Sequence, residues 1–174
     1  EKFWQLLVGA SPELSSKIGS GIELLDVEYS DSYVCSPWSL LLLGELVDGL
    51  KQKLGGAWSV RQIGVNTSDK ISSMPSKGLY SEWPDNFIKA RVIKGYFDYM
   101  GESCRVDVRP LREMPHGRIL RLVWSDKAET LVRLDHGVGC WSLSGKSPVW
   151  LDVADSDKEQ VDAISKCASA VYVK

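Results

Sequence analysis

The chain has 174 residues, 44% of them hydrophobic and 25% charged, with a formal net charge of −2 at pH 7. This composition is typical of one globular domain, and the charge excludes a general attraction to nucleic acid or anionic lipid surfaces. No signal peptide and no apolar run near the roughly 18 residues that span a bilayer is evident, so we expect a cytoplasmic location. Because the chain begins with Glu1 rather than Met, we expect a fragment of a larger protein.

The cysteines lie far apart in the chain, at Cys35, Cys104, Cys140 and Cys167. They form no Cys-x-x-Cys pair, which argues against a zinc site. Free thiols in a reducing compartment are the alternative that this spacing favours. We therefore expect neither a metal nor a cofactor.

Local signals predict several helices. The clearest covers residues 36–54, where Ser36 is a good N-cap, Pro37 suits the first turn and Gly55-Gly56 ends the helix. A second helix, 85–100, is amphipathic. Its predicted inward side chains are Phe87, Ile88, Val92, Ile93, Phe97 and Met100. A short helix is predicted at 3–8 and a further helix at 155–170.

Strands are predicted at 22–29, 58–65 and 104–108, with further candidates at 139–143, 148–153 and 171–173. Residues 66–84 form a loop whose length indicates a functional or mobile segment. The repeated strand–helix–strand order predicts an α/β fold, with a mixed, mostly parallel sheet and helices on both faces. We expect one domain over 1–174. Its core would be 22–145, with an N-terminal helix in 1–20 and a C-terminal helix and strand in 148–174.

Two apolar runs flank the polar residues 125–128 and predict a β-hairpin. A pairing centred on this turn places His116 opposite His136, within side-chain reach. A register shifted by one residue places Arg118 opposite Asp135 instead. In both cases the open end of the hairpin gathers histidine, arginine and aspartate, which are the residue types that acid–base and phosphoryl chemistry uses.

Ligands of open α/β sheets collect at the carboxyl ends of the parallel strands. The predicted strands bring tyrosines, an aspartate, an amide, a threonine and arginines to this edge, namely Tyr29, Asp31, Tyr33, Asn66, Thr67, Arg109 and Arg112. An antiparallel hairpin strand that starts at His116 would begin at the same edge, and its partner would return there with His136.

This element order, together with His116-Gly117-Arg118 in the hairpin, resembles the phospholipase D superfamily in its single-motif form. In that superfamily a His-x-Lys and a Gly-Ser-x-Asn bind a phosphodiester, the His is the nucleophile, and two motifs usually combine across a dimer. Residues 135–141 (Asp-His-Gly-Val-Gly-Cys-Trp) fall where Gly-Ser-x-Asn would be. The chain is most similar to the degenerate phospholipase D-like domain at the C-terminus of MIT-domain proteins, which shares Asp-x-Tyr and His-x-Arg over residues 22–145.

The resemblance implies His116 and Arg118 as catalytic residues, with His136 as a weaker third. The carboxyl ends of the predicted strands provide the candidate phosphate-binding set, made of Arg109, Arg112, Asn66, Tyr33 and Asp31. Two departures disfavour catalysis. Arg118 replaces the lysine, which differs from it in shape and hydrogen bonding, and Gly-Ser-x-Asn is missing.

Three functions follow as hypotheses. The first is a phosphate-binding, nucleic-acid-binding or interaction module of a larger intracellular protein, such as a bacterial DNA-processing or defence helicase. The second is a metal-independent phosphodiesterase, a nuclease with His116 as nucleophile and a homodimer completing the site. The third is a phosphoinositide-binding membrane module.

Each residue also has a structural alternative. The histidines can serve as strand-edge or turn residues, and the arginines can pair with nearby acids. Trp83 either packs in the protein or stacks on a base. Tyr29 and Tyr33 can simply cap a strand end.

Overall fold

The computed structural model describes residues 4, 7–9, 11–69, 83–115 and 117–134, apart from the side chain of Trp38. The helices with defined bounds are α1 (Pro12–Lys17), α2 (Pro37–Leu54) and α3 (Asn86–Tyr99). The strands are β1 (Leu24–Ser30), β2 (Ile63–Ser68), β3 (Cys104–Arg109), β4 (Ile119–Trp124) and β5 (Glu129–Arg133). The strands and helix predicted between 139 and 173 lie outside the described residues.

The five strands form one mixed sheet in the order β3-β2-β1-β4-β5. β1, β2 and β3 are parallel neighbours, whereas β4 runs antiparallel to β1 and β5 runs antiparallel to β4. The predicted α/β fold with a mixed sheet is confirmed. The fraction of strand pairs that are parallel is smaller than predicted, because two of these four pairs are antiparallel.

Helices α2 and α3 lie together on one face of the sheet, which we call the inner face. Both connect parallel strands in the same direction along the sheet, and right-handed crossovers of this kind place their helices on one side. The buried side chains Val27, Ile63 and Leu122 occupy paired positions on this face. Helices on both faces stay a prediction, because the predicted helix 155–170 lies outside the described residues.

The capping signals predicted α2, and the amphipathic pattern predicted α3, to within one residue at each end. Ser36 and Asp85 are the N-caps, and the side chain of each accepts a hydrogen bond from a backbone N–H of the first turn. The prediction that Phe87 points inward is wrong, because Phe87 is 68% exposed. Lys89 is buried instead, and at about 100° per residue Phe87 lies roughly 200° around the helix from it.

The start of β2 was predicted wrongly. Residues Gly55–Ala57 form a 3-10 turn, Trp58 makes a single bridge with Leu24, and the strand runs from Ile63 to Ser68. The predicted strand 58–65 therefore began and ended too early. A short helix that was not predicted separately, α1, begins at Pro12. Of the predicted helix 3–8, Trp4 and residues 7–8 are described and are helical, as is Gly9 after it.

The described residue pairs of β4 and β5 define the register of the hairpin. Ile119 pairs with Arg133 and Val123 with Glu129, which is the register centred on the turn 125–128. The Leu134 N–H also donates to the Arg118 carbonyl at 2.8 Å. The alternative register, with Arg118 opposite Asp135, is therefore wrong. His116 and His136 themselves lie outside the described residues.

The opposite face of the sheet is polar, and we call it the outer face. Here the Arg121 guanidinium contacts Glu129 at 2.5 Å and Glu28 at 3.5 Å. The Asn66 side-chain amide donates to Glu28 at 2.6 Å. Charged side chains thus pair with one another across β1, β4 and β5.

The contact between α2 and α3 yields a stability prediction. A Cβ built at Gly44 would lie 2.3 Å from the Tyr96 hydroxyl oxygen, and Tyr96 is buried. Because the ring cannot move into solvent, we expect Gly44→Ala to lower the free energy of unfolding by about 1–3 kcal/mol through overpacking. Urea denaturation measures this change. Gly56→Ala is the matched control, since no atom lies within 4 Å of its Cβ; equal losses in both variants would contradict the packing described.

Candidate functional site

Strand ends from β1, β2 and β3 and the start of β4 meet at one edge of the sheet, as predicted. Ser30 pairs with both Asn66 on β2 and Ile119 on β4, and Ser68 pairs with Arg109 on β3. We call this the carboxyl edge. Its side chains include Asp31, Tyr33, Asp69, Arg109 and Arg118.

A buried carboxylate organises the centre of this edge. Asp31 is 3% exposed and accepts three hydrogen bonds: from the Tyr29 hydroxyl at 2.9 Å, from the Tyr33 backbone N–H at 2.8 Å and from the Arg118 Nε at 3.2 Å. A carboxylate removed from water is costly unless it is paired and hydrogen-bonded. These three donors meet that requirement, and they tie β1, the turn after it and the entry to β4 together.

Arg118 lies between this carboxylate and an aromatic ring. Its guanidinium carbon is 5.1 Å from the centre of the Tyr33 ring, which is within cation–π range. Tyr33 is 51% exposed, whereas the Arg118 side chain is 25% exposed. The ion pair with Asp31 therefore fixes the orientation of a guanidinium beside an exposed tyrosine.

The predicted phosphate-binding residues do not all converge. Asp31, Tyr33 and Arg118 are in contact, but the side chain of Asn66 lies on the outer face, where it donates to Glu28 and Ser30. Only the backbone carbonyl of Asn66 reaches the cluster, accepting from the Asp31 N–H at 3.0 Å.

Arg109 and Arg112 lie at the far side of the same edge. The Arg109 Nε donates to Asp107 at 2.7 Å, and the Arg112 Nε lies 3.8 Å from a Glu113 carboxylate oxygen. Three strand spacings separate β3 from β4, which is about 14 Å. Arg109 and Arg118 therefore mark two points along the edge rather than one binding pocket.

The predicted catalytic pair is described only in part. Arg118 sits at the carboxyl edge, while His116 and His136 lie outside the described residues. Trp83 is 2% exposed. It therefore packs within the protein and has no exposed ring on which a base could stack.

The sequence did not predict a role for Lys89, a buried residue of α3 that contacts the carboxyl edge. Its Nζ donates to the Ser68 carbonyl at the end of β2, at 2.6 Å. Burial lowers the pKa of Lys89, and Cys35 and Asp69 partly oppose this shift. The spacing of the residues in α3 could have indicated this burial, because Lys89 shares a helix face with the buried Val92 and Ile93.

The turn after β1 is held by side chains of β2. The Thr67 hydroxyl donates to the Val34 carbonyl at 3.2 Å, and the Ser68 hydroxyl donates to the Ser32 carbonyl at 2.5 Å. Because Tyr33 lies between these two anchored carbonyls, the position of its backbone is fixed by the sheet.

Within the part of the chain that the structure describes, no group of three or more His, Cys, Asp or Glu residues could hold a metal ion. The helices described there include none that is long and apolar enough to cross a membrane.

The fold and this edge define the class as an α/β domain with a mixed five-stranded sheet. A family model, the C-terminal domain of the DEAD/DEAH box helicase YjiV, matches residues 1–174. The chain belongs to this family and is thus a helicase-associated domain. No curated protein and no solved structure matches the chain significantly.

The ion pair at the carboxyl edge yields a prediction about stability. We expect Arg118→Ala to lower the free energy of unfolding by about 2 kcal/mol, because it leaves the buried Asp31 carboxylate without its charged partner. Urea denaturation of the variant and of Arg61→Ala, an exposed arginine before β2, gives the comparison. Adding Asp31→Asn to Arg118→Ala should recover part of the loss, since no charge is then buried. Equal stability of the two single variants would contradict this role.

Lys89 yields a prediction about pH. Its folded-state pKa lies below the ordinary value of 10.5, so between these two values the unfolded chain holds a proton that the folded chain has lost. The free energy of unfolding should therefore rise with pH in this window, by at most about 1.4 kcal/mol per pH unit. The measurement is the difference between the native chain and Lys89→Met by urea denaturation at several pH values. A difference independent of pH up to 10.5 would show that the amine is solvated like an ordinary lysine.

Proposed function

We propose that this domain binds phosphodiester groups of nucleic acid at the carboxyl edge, as an accessory module of a DEAD/DEAH box helicase. The observation that carries this proposal is the oriented Arg118 guanidinium, held by Asp31 beside the exposed Tyr33 ring. Arginine suits phosphate because its planar fork of donors matches phosphate oxygens. Membership in a helicase family supports nucleic acid as the polymer.

Arg109 and Arg112 provide further phosphate contacts in this proposal. Both are exposed; their acidic neighbour Glu113 is exposed as well, and Asp107 is half-buried. Surface ion pairs contribute little to stability. A phosphate can therefore take either arginine away from its carboxylate at small cost.

The alternative is that the domain has a phospholipase D-like fold and acts as a phosphodiesterase. Its support is the hairpin register, which is the one that aligns the two histidine positions, and the place of Arg118 in His-x-Arg. Catalysis requires His116 as the nucleophile. The lack of Gly-Ser-x-Asn favours binding without hydrolysis.

Binding is tested with labelled single-stranded DNA, duplex DNA and RNA, in EDTA, over a range of salt concentrations. We expect the affinity to fall with salt, because each arginine–phosphate contact releases counterions. Replacing both Arg109 and Arg112 by alanine should reduce the log–log salt slope by about 1.4–1.8 and weaken binding about tenfold at low salt. Arg61→Ala, which removes one positive charge at the opposite edge, should leave the slope almost unchanged.

Three outcomes would overturn the binding proposal. They are no binding at low salt, binding insensitive to salt, and preferential flotation with phosphoinositide vesicles, which would favour the membrane hypothesis. Cleavage that resists EDTA and is lost in His116→Ala would replace binding alone by phosphodiesterase activity.

A further inference from the structure

We propose that the carboxyl edge is selective for single-stranded nucleic acid, with an unpaired base on Tyr33 and an adjacent phosphate on Arg118. This proposal rests on the nucleic-acid binding proposed above and adds the strandedness of the ligand. It follows from three properties of the edge: an aromatic ring held in place, a small number of cationic contacts, and their spacing.

Tyr33 is exposed without being loosely held. Its backbone N–H donates to Asp31, and its carbonyl accepts from the Cys35 N–H at 2.8 Å. The neighbouring carbonyls of Ser32 and Val34 accept hydrogen bonds from β2 hydroxyls. A ring on so constrained a turn loses little conformational freedom when a ligand stacks on it, which favours binding.

The chemistry of Tyr33 and Arg118 selects an unpaired base. In a duplex the faces of the bases are covered by their neighbours in the stack, so an aromatic side chain cannot reach them. Unpaired bases instead stack on tyrosine rings and on arginine guanidinium planes. Here both surfaces occur together, with the guanidinium carbon 5.1 Å from the ring centre.

The charge of the edge is unsuited to duplex binding. Three arginines described at this edge have an acidic neighbour: Asp31 for Arg118, Asp107 for Arg109 and Glu113 for Arg112. The chain as a whole carries a net charge of −2. Duplex binding without base contacts depends on many neutralised phosphates, whereas single-strand binding gains from stacking and needs fewer.

The spacing of the strands that carry the arginines limits the length of nucleic acid engaged. The strands beside Arg118 and Arg109 are three strand spacings apart, about 14 Å between backbones. At about 3.4 Å per nucleotide of a fully stacked strand this distance corresponds to at most roughly four nucleotides, and an unstacked strand covers it with fewer. Three phosphate contacts on a single strand give a log–log salt slope of about −2.

The test measures fluorescence anisotropy with four labelled probes: an oligothymidylate of about twelve nucleotides, longer than the estimated footprint, its RNA counterpart, a duplex of equal length and an abasic oligomer. The proteins are the native chain, Tyr33→Ala and Tyr99→Ala. Tyr99 is an exposed tyrosine at the last residue of α3, away from the carboxyl edge, so its replacement is the matched control. Circular dichroism confirms that each variant is folded.

We expect the native chain to bind an unpaired strand, in DNA or RNA, at least tenfold more tightly than the duplex. Tyr33→Ala should weaken this binding about tenfold, the range for one stacked base, and Tyr99→Ala should not. The abasic oligomer should bind the native chain as weakly as the oligothymidylate binds Tyr33→Ala, and Tyr33→Ala should cause no further loss on the abasic probe.

Equal or tighter binding of the duplex would overturn the single-strand selectivity and leave the proposed function standing. The same holds if Tyr33→Ala and Tyr99→Ala bind the oligothymidylate alike. Failure to bind any of the four probes at low salt would overturn both proposals.

Discussion

The buried carboxylate of Asp31 is the constraint on which the carboxyl edge depends. It accepts hydrogen bonds from β1, from the turn that follows and from Arg118 before β4. Loss of any one donor would leave a charge in a place where water cannot replace the missing partner. The same interaction therefore closes the junction between the parallel and antiparallel halves of the sheet and sets the direction of the guanidinium. In the proposed function, stability and ligand recognition therefore depend on the same side chain.

The rest of the molecule divides its roles between the two faces of the sheet. The inner face packs apolar side chains against α2 and α3, and Gly44 lets the two helices approach closely beside Tyr96. The outer face holds paired charges, with Arg121 between Glu28 and Glu129. The edge between these faces is where backbone groups of several strands end, so side chains there can serve a ligand without disturbing the core.

Much of the fold could be predicted because its signals are local. Ser36, Pro37 and Gly55 define α2 through capping chemistry, and alternation around residues 125–128 defines the hairpin register. The site was predicted less well because it depends on tertiary contacts. β2 was predicted to end before Asn66, which placed that residue at the rim; the strand continues to Ser68, and alternation turns the Asn66 side chain to the outer face. Lys89 escaped prediction because a buried amine requires a carbonyl from another strand.

The position of Arg118 in the chain also affects how the edge forms. It contacts Asp31 across 87 residues of sequence, whereas the hairpin that begins beside it closes over a few residues. Hairpins form within microseconds, but contacts of large sequence separation form slowly because a long loop must close first. We therefore expect docking of the hairpin on β1 to be the step that brings Arg118 to the edge. Conversely, if β4 and β5 detach together as one cooperative unit, they remove Arg118 from Tyr33 while the parallel strands remain paired. In that case the carboxyl edge would open at a lower free-energy cost than the parallel strands beneath it.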